Sequence, residues 1–279
     1  MFSYSAIILA LKDAGGSDPD LRDSVELYID LLELQSQVDA RPSRGQLSEP
    51  DVTRRLQAGQ PLLTAGGWTV EGKSLAPLCV QVAHKTAQHH RELTRSLVSI
   101  SAWFVAHRDS LEGSVCDYLN RGYCQDALDA GLDAGLHRFV LAHSIHPFLR
   151  VEADKLTPLI DLSSWFRGTC PICGGEPDMA ALGSDDGGRR LLCSQCDSEW
   201  PFFRTVCPFC GDDSHVGYYA ARPGYRLYTC DACKRYIKTI DLRDVAGQRL
   251  LPVERILTVS LDVKAQAAGW GGQAIELSR

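Results

Sequence analysis

The sequence predicts an α+β multidomain protein, in which an all-α N-terminal domain precedes two small cysteine-bearing modules. Apolar residues recur at helical spacing through residues 1–165. After that point, short strand-like runs and glycine-containing turns replace the helical period. The second half also contains a motif of paired cysteines that occurs four times. The expected domains are 1–165 for the helical part, 166–203 for the first module, and 204–279 for the second module with a C-terminal helix.

The composition is that of a chain with a substantial buried core. Its 279 residues are 44% hydrophobic, and the formal net charge is −6. A chain with this charge produces no strong overall field toward nucleic acid or anionic membranes. The longest early apolar stretch, residues 6–11, is too short to span a membrane and lacks the features of a signal peptide. We therefore expect a cytoplasmic protein without membrane insertion.

Helices are expected in five stretches of the first domain. Leucine and valine recur near helical spacing over residues 19–37. Residues 48–51, Ser-Glu-Pro-Asp, are typical of a helix start, because serine caps helices and proline suits the first turn. A long amphipathic helix is expected over 75–106, and shorter ones over 115–119 and 136–149.

The second half predicts hairpins followed by one last helix. Strand-like runs at 190–192 and 225–229 follow turn sequences, which are Asp-Asp-Gly-Gly at 185–188 and Arg-Pro-Gly-Tyr at 222–225. Beyond Pro252, apolar spacing predicts a single helix that ends near Gly269, where glycine is a natural C-terminal cap.

Eight of the eleven cysteines form four Cys-x-x-Cys pairs. The gaps between successive pairs are 19, 10 and 19 residues, so the last two pairs repeat the first two at an offset of 37 residues. Pro171, Gly174, Gly187 and Arg189 recur at the same offset. This repeat indicates an internal duplication of one small unit. The pairs are Cys170/Cys173, Cys193/Cys196, Cys207/Cys210 and Cys230/Cys233.

Each unit has the chemistry of a metal site. Two tight turns joined by a hairpin supply four thiolates to one ion, in the manner of rubredoxin-like or zinc-ribbon modules. Zinc and iron both suit four thiolates. A cross-braced arrangement, in which the first and third turns share an ion, stays open, although duplication favours self-sufficient units. The expected ligand sets are Cys170, Cys173, Cys193 and Cys196 for one ion, and Cys207, Cys210, Cys230 and Cys233 for the other.

Other chemistry is poorly supported by the sequence. His143 and His146 share a helical spacing, but no carboxylate stands where it would complete a hydrolytic metal site. No phosphate-binding loop or nucleophile motif is present, so no catalytic residue is predicted. Thiol–disulfide exchange is an alternative for a lone Cys-x-x-Cys, and four repeated pairs argue against it.

The cysteine modules carry a resemblance to a known family. Residues 170–174, Cys-Pro-Ile-Cys-Gly, and 193–200, Cys-Ser-Gln-Cys-Asp-Ser-Glu-Trp, are similar to the first metal module of the formate dehydrogenase accessory protein (FdhE) family. Residues 204–211 and 230–241 resemble its second module. The closing helix at 261–270 and the His-Pro-Phe-Leu segment at 146–149 also resemble the family's pattern.

The resemblance implies a cytoplasmic accessory protein, without turnover of its own, that is needed to produce active respiratory formate dehydrogenase. It implies contact with the catalytic subunit before export, and rubredoxin-like iron. A homo-oligomer remains a possible state of the protein. The family's pattern also suggests residues for partner binding, and the alternative is that they only pack around the modules. These residues are Trp200, Arg204, Tyr236, Lys238 and Asp241.

Two other function classes stay open at this point. One is a redox protein in which rubredoxin-like iron changes oxidation state. The other is a zinc ribbon that binds nucleic acid. The pI of about 5.7 weighs against the second, so no nucleic acid is expected among the partners.

Overall fold

The structure, a computed structural model, describes residues 3–15, 21–40, 47–63, 68–163 and 165–271. Its first half is helical, and short 3₁₀ turns follow two of the helices, at Arg91–Leu93 and Thr157–Leu159. The helices of this half are α1 (Tyr4–Gly15), α2 (Arg22–Ser36), α3 (Glu49–Gln57), α4 (Gly72–His89), α5 (Thr94–Ala106), α6 (Leu111–Arg121), α7 (Gln125–Asp129) and α8 (Ala134–Leu156).

Local signals account for several helix starts. Ser48 caps α3 by accepting a hydrogen bond from the Asp51 amide, as the sequence predicts. Asp133 caps α8 in the same way, through the amide of Leu136 at 2.8 Å. The predicted start of α2 at Pro19 lies outside the described residues.

The single long helix predicted over 75–106 is wrong. Two helices, α4 and α5, occupy this stretch, and the chain turns between them at His90, with φ −127° and ψ 77°. The helical period of apolar residues continues through both helices because both bury a face in the same core. Neither glycine nor proline marks the turn, so the sequence pattern did not reveal it.

The second half folds into one six-stranded sheet with the order β3-β2-β1-β6-β5-β4. Neighbours within each module are antiparallel, and the modules are joined by a parallel pairing of β1 with β6. Its strands are β1 (Pro177–Leu182), β2 (Arg189–Cys193), β3 (Glu199–Phe202), β4 (Val216–Arg222), β5 (Tyr225–Cys230) and β6 (Arg235–Asp241). The predicted fold class is therefore confirmed: a helical N-terminal region followed by two rubredoxin-like, zinc-ribbon-like modules.

Both predicted hairpins are present. Strand β1 turns into β2 across residues 183–188, and β4 turns into β5 across Pro223 and Gly224. Gly224 has φ +76°, a left-handed conformation that a side chain would strain. The predicted strand runs at 190–192 and 225–229 lie inside β2 and β5.

The C-terminal part contains two helices where the sequence predicts one. Helix α9 (Leu251–Leu257) and helix α10 (Val259–Ala267) are separated at Thr258. The Thr258 hydroxyl donates to the Glu254 carbonyl at 2.6 Å, and such a bond back to the preceding turn often bends a helix. The predicted end near Gly269 agrees with the observed end of α10.

The first module shares a core with the helices. One cluster of buried residues runs from Leu31, Leu75 and Phe104 to Cys170 and Trp200. Helices α1 and α2 also pack on α9, which in turn covers the sheet. The division into domains at 165 and 203 stays a prediction, and the second of these positions falls between β3 and β4.

Candidate metal centres

Each cysteine pair lies on a tight turn whose backbone geometry is repeated in both modules. The Cys170 amide donates to the Gly175 carbonyl at 2.8 Å, and the Gly174 amide donates back to the Cys170 carbonyl at 3.0 Å. The corresponding bonds at Cys207 are 2.7 and 3.0 Å long. After the second cysteine, the chain enters the left-handed region at all four turns: Gly174 (φ 78°), Asp197 (58°), Gly211 (77°) and Lys234 (57°).

The first cluster brings together Cys170, Cys173, Cys193 and Cys196, whose sulfur atoms lie within 4.8 Å of one another. Two of the sulfur–sulfur distances are 3.6 Å (Cys170–Cys196) and 3.4 Å (Cys173–Cys193). A tetrahedron with metal–sulfur bonds of about 2.3 Å has edges of about 3.8 Å. A disulfide would need about 2.05 Å, so these cysteines are free thiols arranged around a common centre.

The second cluster has the same geometry and a different environment. Cys207, Cys210, Cys230 and Cys233 form the group, with sulfur–sulfur distances of 3.7 and 3.6 Å. All four cysteines of the first cluster are buried, whereas Cys210 is exposed and Cys233 is partly exposed. The grouping follows the sequential ligand sets predicted from the sequence and not the cross-braced alternative.

Backbone amides donate hydrogen bonds to sulfur atoms of the first cluster, and such bonds stabilise negative charge on sulfur. The Gly175 amide donates to Cys173 Sγ at 3.4 Å, and the Gln195 amide donates to Cys193 Sγ at 3.3 Å. Burial nevertheless raises the pKa of the Cys173 and Cys193 thiols well above the ordinary value. Burial also opposes ionisation of Cys196, but hydrogen bonds from the neighbouring thiols and Ser198 hold its pKa well below that value.

These donor atoms fit a metal ion. Four sulfur atoms at tetrahedral separation can all bind one ion, and a divalent cation that binds thiolates stabilises the deprotonated set. Soft sulfur ligands in this geometry suit zinc or iron, and the geometry does not separate the two. When bound, the ion would cross-link the two turns of each module.

Asp197, at the second turn of the first cluster, belongs to a buried polar network that the sequence analysis did not predict. Its carboxylate is 5% exposed and lies 3.2 Å from His146 Nε2 and 2.9 Å from Arg255 Nη1. Burial opposes its ionisation, but interactions with His146, Arg255 and Arg150 hold the pKa of Asp197 well below its usual range. The sequence signal was present: Asp197 follows the second turn of its module, at a position where the first turn of each module has glycine.

Arg255 of α9 connects this network to the cysteine turns. Its Nη2 donates to the Cys193 carbonyl at 2.6 Å, and its Nε donates to Asp178 at 3.0 Å. The second turn of the first cluster is thereby held by α9 on one side and by α8, through His146, on the other.

The predicted partner-binding residues make intramolecular contacts. Trp200 is fully buried, and its indole N–H donates to the Arg167 carbonyl at 2.8 Å. Lys238 and Tyr236 both bond to Asp262 of α10, at 2.6 and 2.9 Å. Asp241, also buried, accepts hydrogen bonds from Arg243 at 2.8 and 2.7 Å. Arg204 is exposed. Partner binding by these five residues stays a prediction.

Neither His143 nor His146, the two histidines singled out in the sequence, joins a cysteine cluster. Burial lowers the pKa of His143 to about 3, and its ring contacts Tyr28 edge-on. His146 bonds to Asp197 and the Tyr4 hydroxyl, and His215 bonds to Asp212. Among the described residues, no group of potential metal ligands includes a histidine.

Comparison with known proteins supports the same interpretation of the cysteine modules. A family model described as the central domain of FdhE matches residues 169–204, which contain the first cluster. The fold is similar to that in the crystal structure of the FdhE protein from Pseudomonas aeruginosa. The predicted resemblance to the FdhE family is confirmed.

The structural similarity to FdhE extends over nearly the whole chain. The match covers 98% of this chain and 94% of the P. aeruginosa chain, with a TM-score of 0.64 and 18% sequence identity. An identity this low shows a shared fold. Among curated protein sequences, none matches this chain. Within the described residues, the helices are all too short or too polar to cross a membrane.

Proposed function

We propose that this protein is an accessory factor for the maturation of a respiratory formate dehydrogenase. It binds the enzyme's catalytic subunit in the cytoplasm and carries one metal ion, iron or zinc, in each of its two four-cysteine centres. It performs no turnover of its own. The observation that carries the proposal is the FdhE family match at residues 169–204, on a chain whose fold is that of an FdhE protein over 98% of its length.

The geometry of the centres supports a role for metal in shaping a binding surface. The first centre is buried between the helices and the sheet, where the amides of Leu62 and Leu63 donate to the carbonyls of Pro171 and Ile172 at 3.0 and 2.9 Å. A metal ion that cross-links the two turns of the first centre would therefore also fix how the helical region lies against the modules. A partner that contacts both regions would recognise the metal-bound form.

A second candidate function is a redox protein with rubredoxin-like iron. The exposure of Cys210 favours it, because an electron partner needs a sulfur ligand near the surface. A visible absorption band that is bleached by reductant, in protein purified anaerobically, would support this candidate. Two zinc ions and no such band would favour the purely structural role.

The proposal is tested by capture of the catalytic subunit and by formate dehydrogenase activity in cells that lack the endogenous accessory protein. Wild type is expected to capture the subunit and restore activity. The paired change Cys170→Ser with Cys173→Ser is expected to abolish both, and Cys207→Ser with Cys210→Ser to reduce both. Cys116→Ser is the matched control, because Cys116 is an exposed cysteine outside the clusters. The proposal fails if both paired variants retain full capture and full activity.

A further inference from the structure

Arg189, the first residue of β2, carries a buried guanidinium group. The residue is 2% exposed, and its Nη1 donates to the carbonyls of Phe203 and Val206 at 3.4 and 3.2 Å. The centre of the Tyr228 ring lies 4.3 Å from the guanidinium carbon, and Nε and Nη2 have no hydrogen-bond partner among the described residues. Burial lowers the pKa of Arg189 to about 10, although Tyr228 favours the charged form, so the group is positive at pH 7. A buried charge without a counter-charge costs free energy, so a negative group is expected nearby.

The internal duplication shows which partner Arg189 lacks. Its counterpart 37 residues later, Arg226, pairs with the buried carboxylate of Asp241 at 2.5 Å. The residue 37 positions before Asp241 is Arg204, whose positive charge lowers the pKa of Arg189 further. In the part of the chain that the structure describes, the hydrogen bonds of Arg189 go to carbonyls and none goes to a carboxylate. The first module therefore has the arginine of the repeat without its acid.

Arg189 lies beside the second metal centre, although it belongs to the first module. It lines a gap of about 10 Å³ together with Cys207 and Cys230. The carbonyl that it bonds at 3.2 Å belongs to Val206, the residue before Cys207. Four thiolates and one divalent ion leave such a centre with two net negative charges. Because Arg189 is buried, solvent and salt screen its attraction to that charge less than they screen a surface pair.

Three other basic side chains near the second centre are each paired with a carboxylate. The pairs are Lys234 with Asp231 at 2.8 Å, Arg235 with Glu176 at 2.7 and 2.6 Å, and His215 with Asp212 at 3.0 Å. We propose that Arg189 supplies the positive charge that balances the metal–thiolate group of the second centre. A residue of the first module thereby strengthens metal binding in the second. The inference rests on the part of the proposed function that places an ion in the second centre.

The test measures the zinc affinity of the full-length protein by competition with a chelator at equilibrium, which yields a constant for each centre. Cys207→Ser with Cys210→Ser removes the second centre and so identifies the constant of the first. Arg189→Met keeps much of the side-chain volume without the charge. It is expected to weaken zinc binding by the second centre at least tenfold and by the first less than twofold. Arg189→Lys, which keeps the charge, is expected to stay within threefold of wild type.

Arg226→Met is the matched control, because it removes the duplicate arginine from the second module itself. The charge of Arg226 is balanced by Asp241, so the zinc affinity of the second centre is expected to change less than twofold. If Arg189 only packs, Arg189→Met lowers the thermal midpoint and leaves the zinc affinity of the second centre within twofold of wild type, which would overturn the proposal. Equal weakening by Arg189→Met and Arg226→Met, or by Arg189→Met and Arg189→Lys, would overturn it as well.

A second variant neutralises Arg189 without removing a buried side chain. Arg204→Asp changes an exposed residue and places a carboxylate where the duplicate unit has Asp241. In iron-loaded protein, the reduction potential of the second-centre iron is expected to fall by about 59 mV or more, which is a tenfold change in the ratio of reduced to oxidised iron. The reason is that positive charge favours the reduced form, which is the more negative one. An unchanged potential, or an equal shift in the Arg204→Gln control, would overturn the proposal.

Zinc content and capture of the catalytic subunit separate this inference from the proposed function. If wild type binds two ions and captures the subunit but Arg189→Met keeps the wild-type zinc affinity, the inference fails and the proposed function stands. If Arg189→Met weakens the second centre as expected and wild type does not capture the subunit, the inference stands and the accessory role fails. If the second centre of wild type binds no zinc and no iron, both fail.

Discussion

Each of the four cysteine turns places a left-handed residue after its second cysteine, and the chain fills this position in two ways. Gly174 and Gly211 adopt it without steric cost, whereas Asp197 and Lys234 adopt it with φ of 58° and 57°. The Asp197 side chain is buried against His146 and Arg150 of α8 and Arg255 of α9. Lys234 is exposed and pairs with Asp231 on the surface. The strained backbone at Asp197 is therefore offset by contacts that Lys234 lacks.

Equivalent substitutions at these two positions are predicted to have different effects on stability. Asp197→Gly relieves the backbone but removes the carboxylate of His146 and one of the two carboxylates that Arg255 contacts, and breaking a buried ion pair costs about 3–5 kcal/mol. Lys234→Gly also relieves the backbone, and glycine's extra freedom in the unfolded chain offsets this, so a change below about 1 kcal/mol is expected. Urea unfolding of the zinc-loaded proteins at pH 7 measures both. Equal effects would contradict the role assigned to Asp197.

His137 predicts a pH dependence that lies outside the metal centres. Its ring stacks on Phe104 with centroids 4.8 Å apart, and burial lowers its pKa to about 4. The unfolded chain therefore takes up this proton first as the pH falls, and stability is lost between about pH 6.5 and pH 4. His137→Phe should remove this loss and gain about 2 kcal/mol relative to wild type on going from pH 7.5 to pH 5.

The difference in unfolding free energy between wild type and His137→Phe, both zinc-loaded, is the quantity to follow. Acid release of metal affects both proteins alike and cancels in that difference. A difference that stays constant from pH 7.5 to pH 5 would show that His137 titrates normally in the folded protein.

At the scale of elements, the segment that enters the first module passes closely over the second. A Cβ on Gly168 would lie 1.7 Å from the carbonyl oxygen of Pro208, which belongs to the first turn of the second cluster. The atoms that this Cβ would meet are backbone atoms of Pro208, so no flexible side chain can move to make room. The contact fixes the entry to the first centre relative to a turn of the second.

Gly168→Ala is therefore predicted to separate these backbones at a cost of more than about 2 kcal/mol, as overpacking does in cores. Gly113→Ala in α6 is the matched control, because no atom lies within 4 Å of its added Cβ. Alanine replaces glycine inside a helix there, and a gain of about 0.5–1 kcal/mol is expected. Thermal unfolding of zinc-loaded wild type and of the two zinc-loaded variants measures both changes in stability. A Gly168→Ala protein as stable as wild type would mean that the modules shift freely against each other.

Some boundaries of helices and strands could be predicted from the sequence, and others could not. The Ser48 cap and the Pro223-Gly224 turn were predictable because single residue types determine the local backbone there. The turn at His90 and the break at Thr258 were not, because the apolar period continues across both. A threonine that bonds back to Glu254 occurs in straight helices as well, so its presence alone does not predict a break.

At the scale of the whole molecule, the grouping of the cysteines followed from their spacing alone. The duplication at 37 residues predicts two self-sufficient sets, and the structure brings together the same sets. The parallel pairing of β1 with β6 had no such signal, since either edge of each module offers the same backbone groups. The burial of the first cluster and the exposure of the second depend on that pairing and on α8. They could therefore not be predicted from the sequence either.

The different exposure of the two clusters predicts two rates of metal release. A chromogenic chelator added to zinc-loaded protein should remove the ion of the second cluster first, because Cys210 and Cys233 are accessible. The first cluster should release its ion only when the helical region opens, so a second, slower phase of equal amplitude is expected. Cys207→Ser with Cys210→Ser should eliminate the fast phase. A single phase, or loss of the slow phase in that variant, would contradict the assignment.

The most direct test of the account is the number of metal ions per chain in protein purified anaerobically, measured by elemental analysis together with free-thiol titration. Two ions per chain are predicted for wild type, and one for each paired variant, Cys170→Ser with Cys173→Ser and Cys207→Ser with Cys210→Ser. Cys116→Ser should retain two. Fewer than one ion per wild-type chain, or loss of both ions in each paired variant, would contradict two independent four-cysteine centres.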